Sequence, residues 1–561
     1  MDSATSTRNG SRETIQILKR FIESYDGRPF DLIVVGGGIS GAAVAYDAAS
    51  RGLSVALVEK QDFGCATSAA TSKLIHGGFR YLANLEFGVV RESLSERRTM
   101  SNIAPNFVYP LASMITIYGS KLSDNTKPIR TGMTLYHTLS LDKQKTWDKS
   151  KRIPRFKMLK PKEVLELEPN VRAERLQGGT LIYDCLSICP ERLTLAFVKS
   201  GVAHGAQVSN YAKVEDFLFS TAGRIGGVRV KDLINDRDIE IAGKLVINCS
   251  GPWTDIVLGL VDKKGGIAHV RRSEGIHVIT RRLIGDRMVS SAARRGGHFF
   301  LVPWRNHSLI GTTDKEYVGD PDDYRVTRVA IEELLEDVNS GFGHEPIGYE
   351  DVKYTYGGLR PLVEDQTKGT YESSRKYEIY DNAKEGFEGL VTVAGGKYTT
   401  SRSLAENVMD LVGKKLGRKL PKCTTAKRHL TGCEIPDINA FIDGVKGENR
   451  DFEATTLDWL GRHYGTECEQ VLDLARSDKA LAEPLDADGE ILAQAVYAVR
   501  EEMALTLKDV FFRRTGLGTL GDPGDDVVNK VADLAASELG WDGDRKAREI
   551  QQVKQAMQVP A

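Results

Sequence analysis

Short apolar runs recur along the chain, and several of them stop at a glycine-containing turn. The first run lies at residues 31–35 and ends in glycines, and residues 42–51 then show the Ala-rich pattern of a helix. A second apolar run, 54–58, follows that helix. Two later runs, within 244–253 and 389–400, also end in small-residue turns, and the last leads into another helix. Strands that alternate with helices predict a Rossmann-like α/β domain, assembled here from pieces that are distant in sequence.

The rest of the chain divides into strand-like and helix-like parts. Runs that alternate apolar and polar residues predict an inserted β-sheet, and they lie at 226–231, 277–280, 299–303 and 308–311. After Pro421 the composition shifts towards helical periodicity, which is clearest at 454–464, 490–507 and 527–539. We therefore expect an inserted sheet domain and a separate, all-α C-terminal domain.

These patterns predict an N-terminal extension and three domains. The extension covers 1–30, the α/β domain 31–105, 190–260 and 355–415, the inserted sheet domain 106–189 and 261–354, and the helical domain 416–561. Within the extension, Ser11 to Tyr25 has a helical pattern with one apolar side. We expect this segment to be a helix that docks on the body of the protein.

Composition restricts the class of protein. The 561 residues are 41% hydrophobic and 27% charged, with a formal net charge of −1, so nothing favours nucleic acid as a partner. No apolar run is long enough to span a bilayer, and the first 30 residues lack the apolar core of a secretion signal. The seven cysteines are scattered, so thiols are favoured over disulfides and no metal site is predicted. We expect a cytoplasmic protein.

The region from Lys121 to Lys160 is rich in basic residues and lies close to apolar ones. Such a combination can bind an anionic membrane surface, in this case the cytoplasmic face of the inner membrane. It is equally typical of a solvated loop beside a packed core. The sequence leaves both interpretations open.

The glycines at the end of the first apolar run carry the first chemical signal. Gly36, Gly38 and Gly41 follow a strand and precede a helix, which is the context of a dinucleotide-binding fingerprint. The helix N-terminus offers free N–H groups to a pyrophosphate. Glu59, at the end of the second strand, can accept hydrogen bonds from a ribose hydroxyl. An ADP-containing dinucleotide is predicted to bind here.

A second motif indicates which dinucleotide binds. Residues 65–82 are dense in hydroxyls and glycines, and they then present His76, Arg80 and Tyr81 within six positions. Hydroxyls and backbone N–H groups can bind phosphates and the edge of a flavin. The three larger side chains are typical of a site for an anionic substrate. Together with the Gly395-Gly-Lys397 turn, this run indicates FAD.

At this point the chain resembles the FAD-dependent glycerol-3-phosphate dehydrogenases, flavoproteins related to D-amino-acid oxidase. The resemblance rests on motifs at 36–41, 66–82, 248–253, 310–314, 357–362, 394–400 and 500–515. It implies oxidation of sn-glycerol 3-phosphate to dihydroxyacetone phosphate, with hydride passing from C2 to the flavin. It also implies transfer of the electrons to a membrane quinone, or to oxygen with formation of hydrogen peroxide in the oxidase branch.

The motifs that carry the resemblance also predict the site residues. The predicted cofactor-binding residues are Gly36, Gly38, Ser40, Gly41, Glu59, Thr67, Ser68, Ser72, Lys73, Gly251, Gly395, Gly396, Lys397 and Thr399. The predicted substrate-binding residues are Arg80, Tyr81, Thr312, Arg360 and Lys397. Arginine and lysine at fixed positions suit a phosphate dianion. Lys397 could instead stabilise the anionic form of the reduced cofactor.

Oxidation of an alcohol also requires a base for the hydroxyl proton. His76 is the candidate in these motifs whose ordinary pKa suits proton transfer near neutrality. Arg360 is a poor base but can stabilise a developing alkoxide. We therefore predict His76 and Arg360 as the catalytic pair.

Two other classes of function compete with this interpretation. An amine or amino-acid oxidase of the same fold would bind a carboxylate with one arginine and a tyrosine. A flavin-binding module without turnover would act through its helical C-terminal domain. The electron acceptor and the oligomeric state, including a homodimer, stay open.

Overall fold

The computed structural model describes residues 18–82, 85–119, 126–262, 270–292, 298–343, 345–363 and 376–561. In chain order its strands are β1 (Phe30–Val35), β2 (Val55–Val58), β3 (Leu74–Ile75), β4 (Val108–Tyr118), β5 (Lys157–Leu159), β6 (Leu176–Ser187), β7 (Gln207–Ser209), β8 (Ala212–Phe219), β9 (Ile225–Asp232), β10 (Arg237–Asn248), β11 (Val270–Thr280), β12 (Met288–Ala292), β13 (His298–Trp304), β14 (His307–Gly311), β15 (Lys315–Tyr317), β16 (Val352–Val363), β17 (Tyr377–Asp381) and β18 (Leu390–Gly395). Its helices are α1 (Ile39–Ser50), α2 (Phe87–Ile103), α3 (Thr126–Leu139), α4 (Pro161–Leu167), α5 (Pro190–Ala203), α6 (Thr254–Gly259), α7 (Arg328–Gly341), α8 (Ser401–Lys415), α9 (Ile438–Glu448), α10 (Ala454–Tyr464), α11 (Cys468–Ser477), α12 (Ala493–Arg500), α13 (Leu507–Asp509), α14 (Asp525–Leu539) and α15 (Gly543–Met557).

The first sheet has the order β17-β18-β10-β1-β2-β7, and β9 and β8 extend it beside β10. Strands β18, β10, β1, β2 and β7 run parallel, and β17 is antiparallel to β18. All six residues of β1 are buried, as is typical of a parallel strand covered on both faces. Helices α1, α5 and α8 share a core on one face. The carboxyl ends of the parallel strands therefore meet at one edge, where such sheets bind ligands.

In the described residues the second sheet contains ten strands, in the order β15-β11-β14-β13-β12-β4-β6-β3, with β16 paired to β11 and β5 to β6. Side chains of β11, β13 and β14 pack beneath α4 and α7. This sheet is built from the segments inserted between pieces of the first one. The predicted fold class, a discontinuous α/β domain with an inserted sheet and a helical C-terminal region, is confirmed. The exact domain boundaries stay predictions, and β16 crosses the one drawn at residue 355.

The C-terminal region is helical from α9 to α15, and α10 has the bounds that its periodicity predicts. The segment predicted as one helix at 490–507 is divided, because α12 ends at Arg500 and α13 begins after Thr506. The Thr506 hydroxyl accepts the Asp509 N–H, and the Asp509 carboxylate accepts the Thr506 N–H. This reciprocal capping box starts a new helix where the periodicity alone continues the old one.

The predicted helix from Ser11 to Tyr25 is wrong for the residues that can be compared. Residues 11–17 lie outside the described part of the chain, and residues 21–23 form only a short 3-10 turn. Arg20 bridges Val208 at the edge of the first sheet, and its guanidinium binds the buried Asp232 at 2.5 Å. Tertiary contacts therefore override the helical pattern. The segment nonetheless docks, since Leu18, Phe21 and Ile22 are buried.

Two further properties of the described chain bear on the function. None of the helices in the described ranges is both long and apolar enough to cross a membrane. All seven cysteines are free thiols, so ion pairs and apolar packing hold the domains together without disulfides.

Candidate functional site

The glycine fingerprint forms the turn between β1 and α1. Gly36 has a φ of +105°, and a Cβ there would lie 2.6 Å from the Cys249 carbonyl oxygen at the end of β10. A Cβ on Gly41 would overlap the Gly36 carbonyl oxygen. Gly38 is the N-cap of α1 and supplies no side chain to the helix end. The turn is therefore closed to side chains and presents backbone, as pyrophosphate binding requires.

Glu59 follows β2 and lies beside this turn. Its Oε2 accepts the Gly37 N–H at 2.6 Å, and its Oε1 accepts the Gln61 N–H at 2.8 Å. Burial raises the pKa of Glu59 above its ordinary value, while the two N–H donors act in the opposite direction. The carboxylate is thus held next to the glycine turn, where a ribose of the dinucleotide is expected. Its role towards that ribose stays a prediction.

The hydroxyl-rich run crosses from the first sheet to the second. Ser68 Oγ accepts the Ile39 N–H at 2.9 Å and so lies at the N-terminus of α1. Thr67 Oγ1 donates to the Leu359 carbonyl of β16 at 2.7 Å, and Ser72 Oγ lies 2.8 Å from His277 Nε2 on β11. The three hydroxyls therefore join the two sheets around the glycine turn.

Lys73 differs from the other predicted cofactor residues. Its ammonium lies 3.4 Å from a Glu191 carboxylate oxygen and 4.6 Å from the ring centroid of Trp304, and the side chain is buried. The Lys73 ammonium is therefore already in contact with two protein side chains, Glu191 and Trp304. Lys73 as a direct cofactor ligand stays a prediction.

The remaining predicted cofactor residues lie at the same edge of the first sheet. Gly251 begins a 3-10 turn just after β10. Gly395 ends β18 and Gly396 follows it, both with positive φ, and Thr399 is buried at the entrance to α8. Ser40 lies in the first turn of α1. Because β1, β10 and β18 are parallel neighbours, motifs more than a hundred residues apart meet here.

Arg360, on β16, is held by a set of oxygen acceptors. Its guanidinium donates to the carbonyls of Glu274 and Thr313, both at 3.0 Å. It also donates to Thr312 Oγ1 at 2.6 Å. Two residues that the sequence assigns to the substrate, Arg360 and Thr312, are therefore in direct contact. The contacts orient the guanidinium from the side of β11 and β14.

Lys397 and Tyr81 form a second pair of predicted substrate residues. The Lys397 ammonium lies 4.0 Å from the Tyr81 ring centroid, a cation–π contact, and donates to Ser93 Oγ at 3.0 Å. A Cβ on Gly78 would lie 3.6 Å from the same ammonium. The lysine that follows β18 thus lies beside the turn that follows His76. The side chain of Arg80 lies outside the described part of this turn.

His76 directly follows β3 and is half-buried. The next residue, Gly77, donates its N–H to Asp184 Oδ1 at 2.9 Å. The same carboxylate oxygen accepts from the Arg97 guanidinium and from the Tyr136 hydroxyl. Asp184 therefore fixes the backbone of Gly77, next to His76. The sequence prediction missed this role, since a lone aspartate on a strand carries no local signal.

His277 is a second residue that the motifs did not single out. It is buried on β11 and stacks on Tyr356 with the rings 4.9 Å apart and 19° from parallel. Burial lowers the pKa of His277 well below its ordinary value, and the charges of Arg360 and Lys73 add to this effect. The imidazole is therefore neutral and bonded to Ser72. Its one sequence signal is that it is a histidine among the apolar residues Ile276, Val278 and Ile279 near the end of that strand.

Two family models match the chain. The model described as FAD dependent oxidoreductase matches residues 31–402. The model described as the C-terminal domain of alpha-glycerophosphate oxidase matches residues 423–546. The first match contains both sheets, and the second contains most of the helical region.

Three similar proteins agree with those matches. A glycerol-3-phosphate dehydrogenase of Synechocystis sp. is 32% identical over 542 residues, which is 94% of this chain and 96% of its own. An aerobic glycerol-3-phosphate dehydrogenase of Staphylococcus saprophyticus is 32% identical over 91% of each chain. The structure of the glycerol-3-phosphate dehydrogenase from Bacillus halodurans complexed with FAD has a TM-score of 0.75 and 29% identity, and covers 94% of this chain and 95% of its own.

Proposed function

Because the chain belongs to the family of FAD-dependent glycerol-3-phosphate dehydrogenases, we propose that it oxidises sn-glycerol 3-phosphate to dihydroxyacetone phosphate. The resemblance inferred from the motifs is confirmed, and the protein is a flavoenzyme with FAD as its cofactor. When bound, FAD accepts the hydride that leaves C2 of the substrate. The protein's own residues must bind the phosphate, hold the triol and remove one proton.

Residues of the glycine turn fit this cofactor. Gly36, Gly38, Ser40 and Gly41 would offer backbone N–H groups of α1 to the pyrophosphate, and Glu59 would accept from a ribose hydroxyl. The remaining contacts would come from Thr67, Ser68, Ser72, Gly251, Gly395, Gly396, Lys397 and Thr399. The fit rests on the closed backbone turn, in which a side chain at Gly36 or Gly41 would strike backbone oxygens.

The contact between Lys397 and Tyr81 is the observation that carries the substrate proposal. These residues come from separate motifs, and the fold brings the cation against the aromatic ring beside the Gly77-Gly78 turn. The phosphate dianion would be bound by Lys397 and Arg80, with the Tyr81 hydroxyl as a neutral donor. Each charge-assisted hydrogen bond contributes roughly 1.5–3 kcal/mol. Several such bonds favour a phosphorylated triol strongly over glycerol.

Two residues are proposed for the chemical step, one to accept the hydroxyl proton and one to stabilise the developing negative charge. His76 takes the proton of the C2 hydroxyl, because it directly follows β3 in the turn that leads to Gly78 and Tyr81. Arg360 stabilises the developing alkoxide, since Thr312 and two carbonyls already orient its guanidinium. Thr312 would hold a substrate hydroxyl. Lys397 could alternatively stabilise the reduced cofactor instead of the phosphate.

Anaerobic addition of substrate tests the proposed function. The purified protein should be yellow, and glycerol 3-phosphate should bleach its flavin absorbance. Glycerol lacks the phosphate and serves as the matched control, which should bleach far more slowly at the same concentration. Bleaching by amino acids but not by glycerol 3-phosphate would instead identify an amino-acid oxidase. A flavin that stays oxidised with every compound would support a binding module without turnover.

We further propose a membrane quinone as the electron acceptor, reached through an apolar surface on α2 and α3. Large apolar side chains are exposed on these helices, in the turn before α2 and in the loop after α3, at Leu85, Phe87, Leu135, Leu141 and Trp147. Arg91 on α2 binds Asp142 through two hydrogen bonds of 2.8 Å, which holds α2 against the end of α3. Exposed basic residues lie in the same part of the chain, at Arg130, Lys145, Lys149, Arg152, Arg155, Lys157 and Lys160. Apolar and basic residues together suit an anionic bilayer.

Two basic residues of this stretch do not contribute to that surface. Lys143 donates to the Pro154 carbonyl at 2.6 Å, and Lys151 donates to the Val108 carbonyl at 3.0 Å. Burial lowers the pKa of Lys143 to about 8 and that of Lys151 to about 7. Lys121 lies outside the described part of the chain. The membrane proposal therefore rests on the exposed residues alone.

Leu141→Ser tests both the surface and the acceptor. Burial of a leucine contributes roughly 1.5–3 kcal/mol, so this variant should bind anionic phosphatidylglycerol vesicles roughly 10-fold to 100-fold more weakly. Reduction of a quinone dissolved in those vesicles should fall with binding, while turnover with a soluble dye stays unchanged. Val318→Ser is the control, because Val318 is 91% exposed but lies after β15 of the second sheet. One peroxide per substrate, independent of vesicles, would identify the oxidase alternative.

A further inference from the structure

The loop at residues 60–66, which follows Glu59, lies directly against the glycine turn. Gly64 donates its N–H to the Gly37 carbonyl at 3.0 Å. A Cβ on Gly37 would lie 2.7 Å from the ring of Phe63, which is itself buried. Glu59 binds the Gly37 N–H from the other side. The position of this loop therefore determines where Gly37 and Glu59 lie.

Asp62, at the centre of the loop, is fully buried and is bound from three directions. Arg513 Nε donates to Oδ2 at 2.6 Å, and Asn210 Nδ2 donates to Oδ1 at 3.0 Å. Arg514 forms a two-bond contact, with Nη1 to Oδ2 at 2.7 Å and Nη2 to Oδ1 at 2.8 Å. Burial alone would raise the pKa of Asp62, but Arg514 and Arg513 outweigh it and hold the pKa at about 2. The carboxylate is therefore charged.

The two arginines belong to the C-terminal region, in a single turn of π-helix at Val510–Arg514. Other contacts hold this turn rigidly. Arg514 Nε donates to the Glu502 carbonyl at 3.0 Å, and the Arg514 carbonyl accepts from Arg192 of α5 at 2.8 Å. Arg513 also binds Asp509. A rigid pair of cations thus reaches from the helical region to a loop of the first sheet.

We propose that the helical C-terminal region retains the cofactor: Arg513 and Arg514 hold the Asp62 loop, and that loop positions Gly37 and Glu59 for the pyrophosphate and the ribose. Asp62, Arg513 and Arg514 act as positioning residues and do not touch the substrate. The inference assigns a task to a region that lies outside the dinucleotide fold. It rests on FAD as the cofactor and is independent of which alcohol is oxidised.

Asp62→Asn tests this role through the release of FAD without substrate. The variant keeps the size of the side chain but removes the carboxylate that the buried Arg514 binds and one of the two carboxylates that Arg513 binds. FAD should dissociate from the diluted holoenzyme at least tenfold faster, as measured by the rise in free-flavin fluorescence. Glu467→Gln is the matched control. It removes another buried carboxylate that joins the helical region to the first domain, through Lys199 of α5 at 2.5 Å, without contact to the 60–66 loop.

The two variants separate positioning from general stability. We expect both to lower the melting temperature of the FAD-free protein, and only Asp62→Asn to accelerate FAD release. Equal acceleration in both, or unchanged release in Asp62→Asn, would overturn the proposal. If Asp62→Asn fails to fold, Arg513→Lys serves in its place, since it keeps the charge and loses the guanidinium geometry. Its FAD release should still be several-fold faster than that of Glu467→Gln, and equal release would overturn the proposal.

Discussion

The variant His76→Asn is expected to bleach its flavin roughly 100-fold to 10,000-fold more slowly than the unchanged protein after addition of glycerol 3-phosphate. General base catalysis by a positioned side chain contributes factors of about this size. Asparagine retains a hydrogen-bonding side chain of similar shape but cannot take up a proton near neutral pH. The dissociation constant of the substrate should change little, because the phosphate is proposed to bind to other residues. Anaerobic stopped-flow absorbance at several substrate concentrations yields both quantities.

Asp184 should limit the effect of the substitution to the side chain of residue 76. It holds the Gly77 N–H, and Arg97 and Tyr136 fix the carboxylate in turn, so the backbone beside residue 76 should stay in place in the variant. His204→Asn is the control, since His204 follows α5 and contacts the Ser200 carbonyl away from this turn. A bleaching rate equal to that of the unchanged protein would remove His76 from proton transfer.

The second large effect is expected for Arg360→Lys, which should lower kcat for glycerol 3-phosphate by roughly 100-fold. Lysine keeps the positive charge but cannot bridge the Glu274 carbonyl, the Thr313 carbonyl and the Thr312 hydroxyl with one planar group. The charge would then be free to move away from the developing alkoxide. Loss of one oriented donor to such an oxyanion costs about 100-fold to 1,000-fold in kcat. Steady-state turnover with a soluble dye measures this change.

Arg325→Lys is the matched control for that variant. Arg325 lies at an exposed turn before α7 and donates to the carbonyls of Asp322 and Tyr324. Its kcat should stay within about twofold of the unchanged protein. If Arg360→Lys raises KM alone and leaves kcat intact, Arg360 binds the ground state and does not stabilise the alkoxide.

Local patterns predicted most secondary structure because their causes are local. The strand, glycine turn and helix around Gly36 follow from backbone geometry within a few residues, and α10 follows from its own periodicity. The two wrong predictions had different causes. Residues 18–25 are not an α-helix because a distant contact intervenes, in which Arg20 reaches Asp232. The run at 490–507 breaks because a local capping box of Thr506 and Asp509 starts a new helix, which the apolar periodicity does not record.

The sequence by itself determined the cofactor class, the fold class and the family. These depend on short motifs, and the residues of each motif are close together in the chain. Only the tertiary structure decided which distant side chains meet. Lys397 lies on Tyr81, Asp184 supports the backbone beside His76, and Asp62 binds Arg514 across 452 positions of sequence. Such contacts arise from the packing of two sheets and a helical region, and their energies depend on burial that no local pattern records.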